Sequence, residues 1–126
     1  MKTKLLGVLA LITFAFLSNS IFADSVVASY TCKLNEGKKK EDVQAVNSKW
    51  LKFVHENVSK DIKSSFGSAI VGNQDMFMFV DTYPDLETWA KAQTALESEA
   101  ASEMDAMFEE TSKCSENRLW KLEPTP

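Results

Sequence analysis

Four aromatic residues, Tyr30, Phe77, Phe79 and Trp89, have the size and flatness to wall a cavity for a flat apolar ligand. Asp81 follows the apolar run 76–80 beside them and could orient a polar ligand atom, although a cap or a solvent contact is the plainer role. His55 is the single histidine, so it is the natural candidate for a general base. Its place off the main apolar stripe of its helix reads more simply as a surface histidine. Met76 and Met78, two apart on a strand, point both thioethers the same way, and soft sulfur suits Cu(I). Met104 and Met107 repeat the pairing one helical turn apart, but methionine also fills gaps in ordinary cores. We read both pairs as packing and assign no metal and no cofactor. With one histidine, no Ser-His-Asp set can be assembled. No glycine-rich phosphate loop or dinucleotide fingerprint occurs.

The elements that must position these groups follow from periodicity. Residues 26–34 alternate as a strand, with Val26, Ala28, Tyr30, Cys32 and Leu34 on one face. Asn35-Glu36-Gly37 signals a turn. Residues 41–58 carry Val43, Val46, Trp50, Phe53 and Val54 at helical spacing, with Glu41 and Asp42 suited to the dipole of the first turn. A weaker strand over 62–71 contains Gly67, which suggests a bulge or the close approach of another backbone. A hairpin turn at 72–75 leads into the most apolar strand, 76–82. Asp85 is a good N-cap for a helical stretch over 86–113, which is expected to break near 98–102 because so long a helix is unusual in so small a domain. Its apolar stripe runs through Trp89, Leu96, Ala100, Met104, Met107, Phe108 and Cys114, and its outer face carries Glu97, Glu99, Glu103, Asp105, Glu109 and Glu110 as a solvated surface. A short strand over 118–122 and a frayed tail complete the chain.

Residues 1–23 have the order of a secretory leader: Lys2 and Lys4, an apolar run over 5–17, then small and polar residues to Ala23. The apolar run is short for a membrane span. Cleavage after Ala23 leaves residues 24–126 as a single domain, periplasmic or secreted. That part holds 12 basic and 18 acidic side chains, a net −6. Such a balance, with one basic cluster at 38–40, argues against nucleic acid and against an anionic membrane surface. Cys32 and Cys114 are an even pair in an exported chain and suggest one disulfide.

The order strand, helix, strand, strand, helix, strand is the split βαβ or ferredoxin-like arrangement: an α+β fold with two helices on one face of a four-stranded antiparallel sheet. It brings the end of the first strand near the start of the last, and so Cys32 near Cys114. It also poses a problem of cover. Met76, Met78 and Val80 point one way and Phe77 and Phe79 the other, all apolar, while the helices shield one face only. A second copy of the chain, a ligand, or both must shield the other.

The strand-helix order, the two-faced strand 76–80 and the passage Asp81-Thr-Tyr-Pro-Asp-Leu-Glu-Thr-Trp89 resemble the dimeric α/β-barrel superfamily that includes antibiotic-biosynthesis-monooxygenase-like domains. The resemblance covers residues 26–122. It implies a homodimer in which two sheets pack face to face. It also implies two further activities: cofactor-independent oxygenation of a flat aromatic or quinone-like compound, and haem handling. Haem-degrading members use an Asn, a Trp and a His. Trp89 matches in type and place, Asn35 matches loosely, and His55 lies on the first helix rather than the second. The leading expectation is a small exported dimer, non-catalytic or binding a small apolar ligand, with the oxygenase as the alternative and haem or copper handling third.

Overall fold

The structure is a computed structural model and describes residues 25–126. The predicted leader and its cleavage site lie outside the described residues. The order is β1 (Val26–Leu34), α1 (Lys40–Asn57), β2 (Lys63–Ser68), β3 (Met76–Tyr83), α2 (Leu86–Leu96), α3 (Glu99–Thr111) and β4 (Ser112–Lys121). The strands form one antiparallel sheet in the order β2-β3-β1-β4, the ferredoxin-like topology expected. The helices lie together on one face.

The stripe of α1 buries Val43, Val46, Trp50 and Val54 at spacings of three and four. β1 and β3 send Val26, Ala28, Phe77, Phe79 and Tyr83 to meet the helices. The break in the second helical stretch comes at Glu97 and Ser98, and Ser98 takes extended backbone as the N-cap of α3. The break shifts the phase of the stripe, so Ala101 is buried and Ala100 is exposed.

β2 is shorter than its sequence suggests. Ile62 is buried ahead of it, whereas Ile70 and Val71 stand exposed in the loop to β3. At Gly67 the register is unbroken, so no bulge is present. The close neighbour is a side chain, not a backbone: a Cβ there would lie 2.9 Å from Cγ of Met78.

The larger correction concerns β4. The strand starts at Ser112, six residues before the expected position, and runs along β1 as an edge strand. Its polar sequence hides it from hydrophobic periodicity, because an exposed edge needs main-chain pairing more than apolar side chains. Cys114 is therefore a strand residue, placed opposite Cys32 and joined to it by a disulfide. The register slips by one residue between Thr31 and Cys32, leaving Ser115 as the extra residue of a bulge.

Asn35 follows β1 and ties the sheet to the end of α3. Its side-chain amide donates to the carbonyls of Glu109 (2.8 Å) and Glu110 (2.9 Å), which the helix end leaves without helical partners. Asn35→Ala should lower stability by about 1 kcal/mol in urea denaturation, with no effect on any ligand equilibrium.

Candidate functional site

Between the sheet and its helices lies a cavity of about 290 Å³, open on one side. Its floor is Tyr30 from β1, Phe79 and Asp81 from β3, and Cys114 from β4. Asn47 and Trp50 from α1 form one wall, and Phe108 with Leu96 forms another. Asp105 and Glu109, four apart on α3, stand at its rim. The size sits at the small end of ligand pockets, roughly 300–1,000 Å³.

Asp81 is the chemical centre. β3 alternates, so Phe77, Phe79, Asp81 and Tyr83 all face the helices, and the carboxylate comes to be 4% exposed. Ser64, opposite it on β2, donates its hydroxyl hydrogen to Oδ1 of Asp81 at 2.5 Å. The side-chain amide of Asn47 donates to that same Ser64 oxygen at 2.9 Å. This short relay supplies one hydrogen bond to the carboxylate, and its second oxygen receives none from the described residues. Loss of water pushes the carboxyl up to about 6, and the bond from Ser64 opposes the rise without cancelling it. Burial pushes the Tyr30 phenol up to about 12, with the Asp81 charge adding to the effect. Tyr83 is driven the same way by burial, and its hydroxyl is buried without a partner among the described residues. Tyr30, Asp81 and Tyr83 thus form a small polar island in an apolar interior.

Of the residues singled out for a ligand, Tyr30, Phe79 and Asp81 meet in this cavity. Phe77 does not. It stacks on Phe66 at 5.0 Å and packs with Cys32 and Val43 on the other side of Phe79, which it meets edge to face at 5.3 Å. Trp89 also lies outside, half-buried against the main core, because the face of α2 is directed at Tyr83 and its neighbours. Trp50 supplies the indole of the cavity instead. His55 holds the start of β2: its Nε2 lies 2.7 Å from the Ile62 carbonyl. Asn35 has the structural task described above. Asn35, His55 and Trp89 therefore do not converge. Met76 and Met78 lie on the far face of the sheet, while Met104 and Met107 lie on α3, so the two sulfur pairs stand apart. Among the described residues no group of three or more His, Cys, Asp or Glu could hold a metal ion, and no helix is long and apolar enough to cross a membrane.

Sequence reasoning missed Asn47, Ser64, Asp105 and Glu109. Asn47 stands three residues before Trp50, hence beside it on one helix face, and that spacing was the available signal. Asp105 and Glu109 are likewise neighbours on α3, but their carboxylates read as part of a solvated acidic surface.

No family profile and no curated protein sequence match the chain. Solved structures do. SnoaB, a cofactor-independent oxygenase from Streptomyces nogalater, superposes with a TM-score of 0.63 at 12% identity, over 82% of this chain and 97% of that one. A protein of unknown function from Bacteroides thetaiotaomicron, a possible oxidoreductase, gives 0.56 at 11% identity, over 79% and 99%. A dimeric ferredoxin-like protein of unknown function from Bacteroides fragilis gives 0.50 at 11% identity, over 78% and 96%. These likenesses define the fold alone: a ferredoxin-like α+β arrangement, as the strand order also shows.

Proposed function

We propose that this chain is an exported homodimer that binds a small, flat, largely apolar molecule over Tyr30 and Asp81. One observation carries the binding reading: a buried carboxylate, with one oxygen that no described residue bonds, in a cavity whose walls are mainly Tyr30, Trp50, Phe79, Leu96 and Phe108. Such a group orients a ligand that offers it a hydrogen. Amide NMR of the mature protein with a panel of one- and two-ring aromatics tests it. The expected shifts fall on Tyr30, Phe79, Phe108 and their neighbours; shifts elsewhere, or none, refute the reading.

Export is supported by the leader-like start and by the Cys32–Cys114 disulfide, which suits an oxidising compartment. Dimerisation is supported by the far face of the sheet. There Met78 is 38% and Trp120 46% exposed, beside Met76, Val80 and Val27, and none of the described helices covers them. The Trp120 indole already donates to Ser29 Oγ at 2.9 Å, so its ring can be buried without stranding a donor. The dimeric Bacteroides fragilis protein shares the fold. Val80→Asp, placed in the centre of this face, should convert a dimer to monomer at micromolar concentration in light scattering. A wild-type monomer contradicts the proposal.

A second reading is cofactor-independent oxygenation, favoured by a carboxylate poised to accept a proton near neutral pH and by the fold shared with SnoaB. Asp81 would take a proton from an acidic methylene of the substrate. The resulting carbanion reduces molecular oxygen. Overall, one methylene group and one molecule of oxygen become one carbonyl group and one water, with all electrons coming from the substrate. Oxygen uptake with anthrone, abolished in Asp81→Asn, would establish it.

A further inference from the structure

The charges around the cavity are of one sign. Asp81 lies at its floor and Asp105 and Glu109 at its rim, and none of its lining residues is Lys, Arg or His. Four aromatic side chains, Tyr30, Trp50, Phe79 and Phe108, surround the same space. Phe79 and Phe108 meet edge to face with centroids 5.7 Å apart. Aromatic rings attract cations through the negative potential of their faces, and a carboxylate at the base of an aromatic enclosure adds a direct counter-charge. A carboxylate, sulfonate or phosphate would meet three acidic groups with no cation to balance them. The net charge of −6 over residues 24–126 repels anions at longer range as well.

We propose that the pocket selects an organic cation, a compact molecule bearing an ammonium or quaternary nitrogen held against Asp81 and enclosed by Tyr30, Trp50, Phe79 and Phe108. This rests on the binding reading above and names the ligand class for the same site. The empty site costs the protein a buried charge, and a bound cation relieves it. Binding is therefore coupled to ionisation of Asp81, whose carboxyl sits near 6 when the pocket is empty. The groups that face Asp81 are Tyr30 from β1, Ser64 from β2, Tyr83 from β3, Asn47 from α1, and Asp105 and Glu109 at the rim from α3. Because Asp105 and Glu109 are carboxylates of the same cavity, the pH profile is compared with that of Asp81→Asn.

Three probes of nearly the same shape separate the possibilities: phenyltrimethylammonium, tert-butylbenzene and benzenesulfonate, titrated into the mature protein by NMR at pH 7.5. The cation should bind at least about tenfold more tightly than the neutral isostere, and the sulfonate should not bind. The cation's affinity should fall about tenfold between pH 7.5 and 5, following Asp81, and Asp81→Asn should remove both that fall and the preference. If tert-butylbenzene binds as well as the cation, charge selection is overturned while the pocket stands. If none of the three binds, the inference and the pocket reading fail together. Asp81→Glu, which keeps the charge, should restore the preference if the side chain acts through its charge.

Discussion

Removing the disulfide, as Cys32→Ala with Cys114→Ser, should lower the stability of the fold by about 4 kcal/mol. The two cysteines lie 82 residues apart, so the bond closes nearly the whole domain into one loop. In the chain-entropy account a cross-link of that span removes a large share of the unfolded chain's freedom. The native state loses something as well. β4 is an edge strand exposed along almost its whole length, and the bulge beside Cys32 interrupts its ladder with β1. The disulfide stands at that interruption and holds the first residues of β4 in place. Urea denaturation at fixed protein concentration, with and without dithiothreitol, measures the effect. A change below about 1 kcal/mol would mean that β4 is held by other contacts. The same variant should loosen one edge of the cavity, since Cys114 lines it.

Asp81→Asn should make the empty protein more stable at pH 7.5 by about 2 kcal/mol, a rise in Tm of roughly 10 °C. A carboxyl moved by burial from 3.8 to about 6 carries roughly 3 kcal/mol against its charged form. The asparagine amide retains an oxygen for the Ser64 hydroxyl but still costs something to desolvate, which lowers the net gain. The direction with pH is fixed by proton uptake. Between 3.8 and about 6 the folded protein binds the proton and the unfolded chain releases it. The wild type therefore carries no penalty below pH 3.8, loses stability as pH rises, and bears the full cost above about pH 6. The advantage of the variant should vanish near pH 4 and be complete by pH 7. An advantage that is flat with pH would show that Asp81 stays hydrated. Stability gained by deleting a polar side chain is the pattern expected where that side chain serves binding rather than folding.

Much of the fold was legible because its core is periodic. Val43, Val46, Trp50 and Val54 mark α1 without ambiguity, and the alternation through Phe77 and Phe79 marks β3. β4 was legible only at its apolar end, Leu119 and Trp120. Its first half is Ser-Lys-Cys-Ser-Glu-Asn, a run that becomes a strand because β1 offers it hydrogen bonds. The cavity was half legible. Tyr30, Phe79 and Asp81 were singled out by residue type and strand position, together with Phe77 and Trp89, which do not line it. The partners Asn47, Ser64 and Glu109 come from three other elements, and apart from the helical spacing of Asn47 to Trp50 nothing along the chain links them to the cavity. Trp89 and Trp50 are equivalent as residues, but Trp50 lines the cavity while Trp89 packs against the main core, a choice that only the tertiary arrangement makes.

The state of the Asp81 side chain bears most directly on the whole account. Carbon-13 NMR of the mature, ligand-free protein labelled at aspartate carboxyls, titrated from pH 3 to 8 and assigned with Asp81→Asn, reads it without reference to any ligand. The account predicts one carboxyl signal that titrates near 6 and disappears in the variant. If Asp81 instead titrates near 3.8, the ordinary value of its carboxyl, water fills the site and neither an oriented apolar ligand nor a selected cation remains supported.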